Sequence, residues 1–113
     1  MTEAALRAAA GERSFERGTR YLRAVSSMET VGNQVIATVR GSADYLVVLT
    51  LPEVSSGAGP RGECNCPYGQ EGFFCKHCVA VGLAILRDAR RAQGVTVQER
   101  TIIVIQTKKR RSR

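Results

Sequence analysis

Several things are scarce or missing in this chain. No apolar run approaches the roughly 20 residues that a membrane-spanning helix needs. The opening stretch, Met1 to Arg13, sets Glu3, Arg7, Glu12 and Arg13 among alanines and lacks the apolar core of a secretory signal. No membrane partner is therefore expected, and the expected compartment is the cytoplasm, where thiols stay reduced. There is a single histidine, so once it is engaged none remains for a Cys-His nucleophile pair. Gly57-Ala58-Gly59 lacks the downstream Gly-Lys-Thr/Ser of a phosphate-cradling loop. The expectation is a protein that is not an enzyme and takes no small-molecule substrate.

Charge is present but unevenly placed. The net charge is +7. Residues 1–86 carry eight basic and eight acidic side chains, whereas residues 87–113 carry nine basic and two acidic. The body is neutral and the whole excess lies at the C-terminal end, where it can meet phosphates by sequence-independent attraction or act as a solvated end. Arg17, Arg20 and Arg23 advance in threes and form an exposed ridge.

The length, 113 residues, fits one domain. An alanine-rich helix is expected over residues 2–10, with Gly11 interrupting it. A second helix follows over about 14–24, capped by Ser14, with Phe15, Gly18 and Leu22 on one face. The period then changes. Met28–Val31 and Gln34–Arg40 flank Gly32-Asn33, a pair suited to a two-residue hairpin turn. Tyr45–Leu51 reads as a third strand, apolar enough to be covered on both faces. Pro52–Glu63 reads as a loop. Residues 77–92 form the strongest helix, with Cys78, Val81, Gly82 and Ile85 on one face, Val79, Leu83 and Leu86 on the next, and Gly94 as its stop. Val95–Thr107 reads as an extended edge strand around Ile102–Ile105, followed by a basic tail, Lys108-Lys109-Arg110-Arg111-Ser112-Arg113.

All four cysteines and the only histidine fall within residues 64–78. Clustered thiols in a reducing compartment point to metal rather than disulfides. Structural zinc takes four tetrahedral ligands and favours thiolate and imidazole. Cys64 and Cys66 lie two apart, so on an extended segment both sulfurs face one way. Cys75 and His77 are also two apart, which on a regular helix would separate them by roughly 200°. Cys75 must then precede the helix, with His77 in its first turn. Residues 67–74 connect the pairs, with Gly69 and Gly72 placed for a reversal. Three thiolates on a divalent ion leave a charge of about −1, which the helix N-terminus, Lys76 and Arg61 can offset. Cys75-x2-Cys78 is also a zinc spacing. Two sets are therefore open: Cys64, Cys66, Cys75 and His77, or the four cysteines, with Cys78 in the first case a small core residue. Tyr68, Phe73 and Phe74 either pack around the metal or stack on bases.

The pattern C-x-C-x8-C-x-H, with Cys-Pro after the first pair and Cys-Lys-His at the second, resembles the SWIM zinc finger. Phe15-Glu16-Arg17-Gly18 with Tyr21-Leu22, the Val39-Arg40-Gly41-Ser42 turn and Cys75-Lys76-His77-Cys78-Val79-Ala80 look like bacterial proteins that carry this finger after an N-terminal helix and a small sheet. The resemblance spans residues 14–90. It implies one structural zinc ion on Cys64, Cys66, Cys75 and His77, in a short β-hairpin followed by a helix. Such fingers occur beside or within Swi/Snf-type helicases, Mutator-type transposases and ubiquitin-ligase-like proteins. Residues 95–113 match nothing in the resemblance, and helicase motifs are lacking.

The expected fold is thus α+β: an N-terminal helix, a small antiparallel meander, then a ββα-like finger at about 60–92. Residues 1–94 would be one domain, and 95–113 a strand and tail. The expected function is nucleic-acid binding, of DNA above all, through Arg17, Arg20, Arg23, Lys76, Arg87, Arg90, Arg91, Lys108, Lys109, Arg110 and Arg111. The alternative is a protein-interaction module serving a helicase-type partner.

Overall fold

The computed structural model describes residues 1–53 and 57–98, with side chains as far as residue 92. Two short helices open the chain, α1 over Glu3–Ala10 and α2 over Glu12–Thr19. Thr2 caps α1 by accepting a hydrogen bond from the Ala5 amide. Gly11, at φ 85°, ends α1 and serves as N-cap of α2. Ser14 therefore lies inside α2 rather than capping it. The expected single helix over 14–24 is also broken. The Thr19 hydroxyl donates to the Glu16 carbonyl, the acceptor that the Arg20 amide would use in a continuing helix. That amide turns instead to the Arg17 carbonyl, and the chain leaves through a 3₁₀ turn at Leu22–Ala24.

Four antiparallel strands follow in chain order: β1 Val25–Val31, β2 Gln34–Arg40, β3 Asp44–Thr50 and β4 Arg61–Cys64. The hairpin turn falls on Gly32-Asn33, with Gly32 at φ 61°. Register places Val35 opposite Leu49, Ala37 opposite Val47, and Val47 opposite Cys64. The inner face, Val35, Ala37, Val39, Val47, Leu49 and Cys64, is buried. Two expectations change here. β3 is covered on one face only, and Leu46 on its other face is 50% exposed. Residues 61–63, read as the end of a loop, form the fourth strand together with Cys64. The finger's hairpin is therefore β3 with β4, continuous with the meander rather than appended to it.

A short helix α3, Pro67–Gln70, leads to the long helix α4, Lys76–Gln98. The first half of α4 lies between two layers. Cys78, Val81 and Ile85 pack with the sheet, and Val79, Leu83 and Leu86 pack with Leu6 and Phe15 of the N-terminal helices. These are the two faces expected from the sequence, except that Gly82, placed there with Cys78, Val81 and Ile85, lies instead against Leu6 of α1, where an added Cβ would fall 2.5 Å from Leu6 Cδ2. The helices pack very closely. A Cβ added at Gly18 would fall 2.4 Å from Val79 Cγ1 and 2.8 Å from the Lys76 carbonyl oxygen.

Helix α4 does not stop at Gly94 but continues to Gln98, so residues 95–98 are helical rather than part of an edge strand. A mid-helix glycine costs only about 1 kcal/mol against alanine, and Gly94 is not among the glycines with positive φ. The remainder of the expected strand and the basic tail lie outside the described residues. No helix among the described residues is long and apolar enough to cross a membrane.

Candidate metal centre

Three elements deliver four donors to one point. Cys64 is the last residue of β4, held in register opposite Val47. Asn65 fastens the next step to β3: its Oδ1 accepts from the Leu46 amide at 2.9 Å, and its own amide donates to the Leu46 carbonyl at 3.3 Å. Cys66 is the extended N-cap of α3, with Pro67 in the helix's first turn, and its Sγ accepts from the Gly69 amide at 3.2 Å. The Gln70 side chain closes the loop onto the Asn65 carbonyl at 2.8 Å. Cys75 precedes α4 and His77 lies in its first turn, the placement that their spacing required.

The donor atoms of Cys64, Cys66, Cys75 and His77 all lie within 4.8 Å of one another, and all four residues are buried. His77 Nδ1 is 3.7 Å from both Cys64 Sγ and Cys75 Sγ. Zinc–sulfur bonds of roughly 2.3 Å and zinc–nitrogen bonds of roughly 2.0 Å at tetrahedral angles give ligand–ligand edges of about 3.5–3.8 Å. The donors therefore already stand near the spacing that one zinc ion imposes. The set is soft and closed, which suits structural zinc. When bound, the ion supplies a cross-link between β4, the α3 turn and the start of α4.

The surroundings of His77 are aromatic. The Tyr45 ring stacks on it with centroids 4.6 Å apart, and Tyr21 meets it edge-on at 5.1 Å. The Tyr45 hydroxyl is hydrogen-bonded to Ser42 at 2.8 Å. His77 Nε2 is buried with no partner among the described residues. The imidazole is thus positioned by ring packing rather than by the outer hydrogen bond common at metal-bound histidines.

The thiols are not equivalent. Hydrogen bonding with Cys64, and then with Cys78 and His77, pulls the Cys75 pKa well below the ordinary thiol range. Hydrogen bonding to Cys75 and burial push Cys64 up, and the same two causes push Cys78 up. Cys78 stands outside the four-donor group. Its Sγ lies 3.8 Å from Cys75 Sγ, far from the ~2.05 Å of a disulfide. It packs in the core above Gly62, where an added Cβ would fall 2.8 Å from that sulfur. Cys78 is fully buried in the core cluster with Val47 and Val81, the environment that the small-core-residue reading requires.

The expected nucleic-acid residues separate into groups. Arg17 and Lys76, joined by Arg13, Ser14, Tyr68, Cys66 and Cys75, line a cavity of about 330 Å³ beside the knuckle. Lys76 Nζ also sits 5.0 Å from the centre of the Tyr21 ring. Arg20 and Arg23 are exposed farther along the chain. Arg87 pairs with Asp88 at 3.2 Å and Arg90 with Glu3 at 3.3 Å, while Arg91 is exposed. At 1.5 Å per residue these three stand roughly 16–22 Å along α4 from Lys76. Lys108, Lys109, Arg110 and Arg111 lie outside the described residues. Arg61 stands three residues up β4 from Cys64 and does not line the cavity. Sequence reasoning missed Arg13 and Asn65. The signal for Asn65 was its place between two ligands; Arg13 had none.

Compared with known families, residues 45–85 match the family model of the SWIM zinc finger. The match runs from β3 through the first half of α4 and contains all four donors. No curated protein and no solved structure matches the chain.

Proposed function

Taking the SWIM zinc finger of residues 45–85 as the premise, we propose that this chain is a non-catalytic nucleic-acid-binding accessory module. DNA is the expected ligand. The observation that carries the proposal is the convergence of Arg13, Arg17 and Lys76 on one cavity whose lining, among the described residues, holds no carboxylate. None of the three makes an ion pair among the described residues. A zinc ion on three thiolates and one imidazole carries about one negative charge. Three cations exceed that by about two charges, an excess directed at an external anion rather than at the cluster. The ion's part is structural: it fixes the start of α4, and so Lys76, against the knuckle and α2. The basic residues beyond residue 98 add to the attraction without defining a site.

The test is binding of a labelled oligonucleotide to the zinc-loaded full chain across a salt series. Three phosphate contacts alone give a slope of log K against log salt of about −2 to −3, and the basic residues beyond residue 98 steepen it further. Arg17→Ala should shallow it by about one unit. Affinity that is flat across salt, or absent at low salt, overturns the proposal.

A second reading has its own observation. The outer face of the sheet leaves Leu46 50% and Val31 54% exposed, which favours a protein partner, of the helicase type first considered. A stoichiometric co-purifying protein, with no nucleic-acid affinity in the isolated chain, decides for that reading.

A further inference from the structure

The knuckle carries two aromatic rings on its surface. Tyr68, in α3, and Phe73, just after it, stack face to face with centroids 4.5 Å apart and planes 12° apart. They remain 47% and 48% exposed. The chain has only three tyrosines, three phenylalanines and no tryptophan. The other four rings, Phe15, Tyr21, Tyr45 and Phe74, are buried or half-buried. Packing around the metal therefore accounts for Phe74 but not for Tyr68 and Phe73. A bare aromatic pair on the surface of so small an aromatic inventory forgoes burial that the core would otherwise gain.

Tyr68 belongs to two environments at once. It is half of the stacked pair, and it lines the cavity that Arg13, Ser14, Arg17 and Lys76 also line. A flat π surface thus adjoins a cationic cavity with no carboxylate in its wall among the described residues. Proteins that hold unpaired strands combine these two elements, an aromatic platform for a base and cations for the phosphate beside it. A duplex keeps its base faces stacked on one another and offers none to a protein ring without unstacking.

We propose that this side of the finger binds single-stranded nucleic acid, with a backbone phosphate in the Arg13–Arg17–Lys76 cavity and the adjoining base stacked on the Tyr68–Phe73 pair. The inference rests on the nucleic-acid reading above and narrows it to unpaired strands. The cavity volume of about 330 Å³ is at the small end of ligand pockets, enough for one nucleotide's phosphate and sugar. Both rings are about half exposed and neither is a metal donor, so the platform can be removed with all four donors kept.

The experiment is fluorescence anisotropy of the full, zinc-loaded chain with an oligothymidylate of about 12 nucleotides, within the usual ~4–16-nucleotide site sizes, and with a duplex of the same length. The single strand should bind at least ~10-fold more tightly than the duplex. The Tyr68→Ala/Phe73→Ala double variant, confirmed to retain its zinc, should lose about 5- to 150-fold of single-strand affinity, the range of one base–ring stack, with little change for duplex. Arg17→Ala should weaken both. Equal affinity for the two forms, a duplex preference, or an unchanged double variant overturns the single-strand inference while leaving nucleic-acid binding intact. Failure to bind either form overturns the broader reading along with it.

Discussion

Replacing Gly18 by alanine tests the crossing of α2 over the start of α4. An added Cβ would lie 2.4 and 2.5 Å from Val79 Cγ1 and Cβ, and 2.8 Å from the Lys76 carbonyl oxygen. Ordinary carbon contacts are about 3.5–4.0 Å, so the shortfall is about 1 Å. Neither neighbour can yield cheaply: Val79 is fully buried and stiff at χ1, and the oxygen belongs to the backbone one residue before His77. Overpacking of this kind costs about 1–3 kcal/mol, and a clash at three atoms belongs at the upper end. Alanine returns about 1 kcal/mol in helix propensity, which leaves a net loss of about 2 kcal/mol. At about 4–8 °C per kcal/mol for a domain of this size, Tm should fall by about 8–16 °C. The assay is thermal unfolding at a fixed excess of zinc, because bound metal shifts the transition by mass action. Gly59→Ala is the control: nothing among the described residues lies within 4 Å of its Cβ position, and its change should stay within about 0.5 kcal/mol. If Gly18→Ala melts at or above the parent temperature, the two helices do not cross this closely and the placement of His77 loses its support.

Leu6 is fully buried, packed with Phe15 and Val79 between the N-terminal helices and α4; Leu6→Ala should cost about 2–5 kcal/mol by chemical denaturation, and a loss below 1 kcal/mol would mean that α1 is not docked. Protons compete with zinc for three thiolates and one imidazole, so the unfolded, metal-free chain binds more protons than the loaded one. Stability must therefore rise with pH and fall on acidification. In an acid titration, metal release followed with a zinc-sensitive dye and unfolding followed by circular dichroism should coincide. Full structure persisting after the zinc has left would separate the metal from the fold.

The clustering of the donors was legible in the sequence because two-residue spacings constrain backbone geometry directly, but spacing left His77 and Cys78 both open as the fourth donor, and the resemblance pointed to His77. Cys75 before the helix and His77 within its first turn follow from helical angles alone. The two faces of α4 were legible for the same reason, since Cys78, Val81 and Ile85 are separated by one turn each. β4 was hidden because Arg61-Gly62-Glu63 has no apolar alternation. It is a strand through its ladder with β3, a long-range property that no local pattern carries. The length of α4 was misjudged because glycine marks a helix end only where the backbone turns to positive φ, which Gly94 does not do. Ser14 looked like a cap, but Gly11 sits where α1 must end and α2 begin. The basic cavity was half visible: Arg17 and Lys76 were candidates by charge, yet Arg13 joins them only because α2 is folded against the knuckle. Tyr68 and Phe73 were open between packing around the metal and stacking on bases because sequence shows how near a ring is to a ligand, not which way it faces.

Native mass spectrometry of the purified chain and its alanine variants reads the donor set of the metal centre. Structural zinc in finger peptides contributes about 10–16 kcal/mol, so loss of one donor should be plain. One zinc per chain is expected, lost in Cys64→Ala, Cys66→Ala, Cys75→Ala and His77→Ala and retained in Cys78→Ala. A chain that folds fully without metal, or one that keeps its zinc in His77→Ala and loses it in Cys78→Ala, would contradict it.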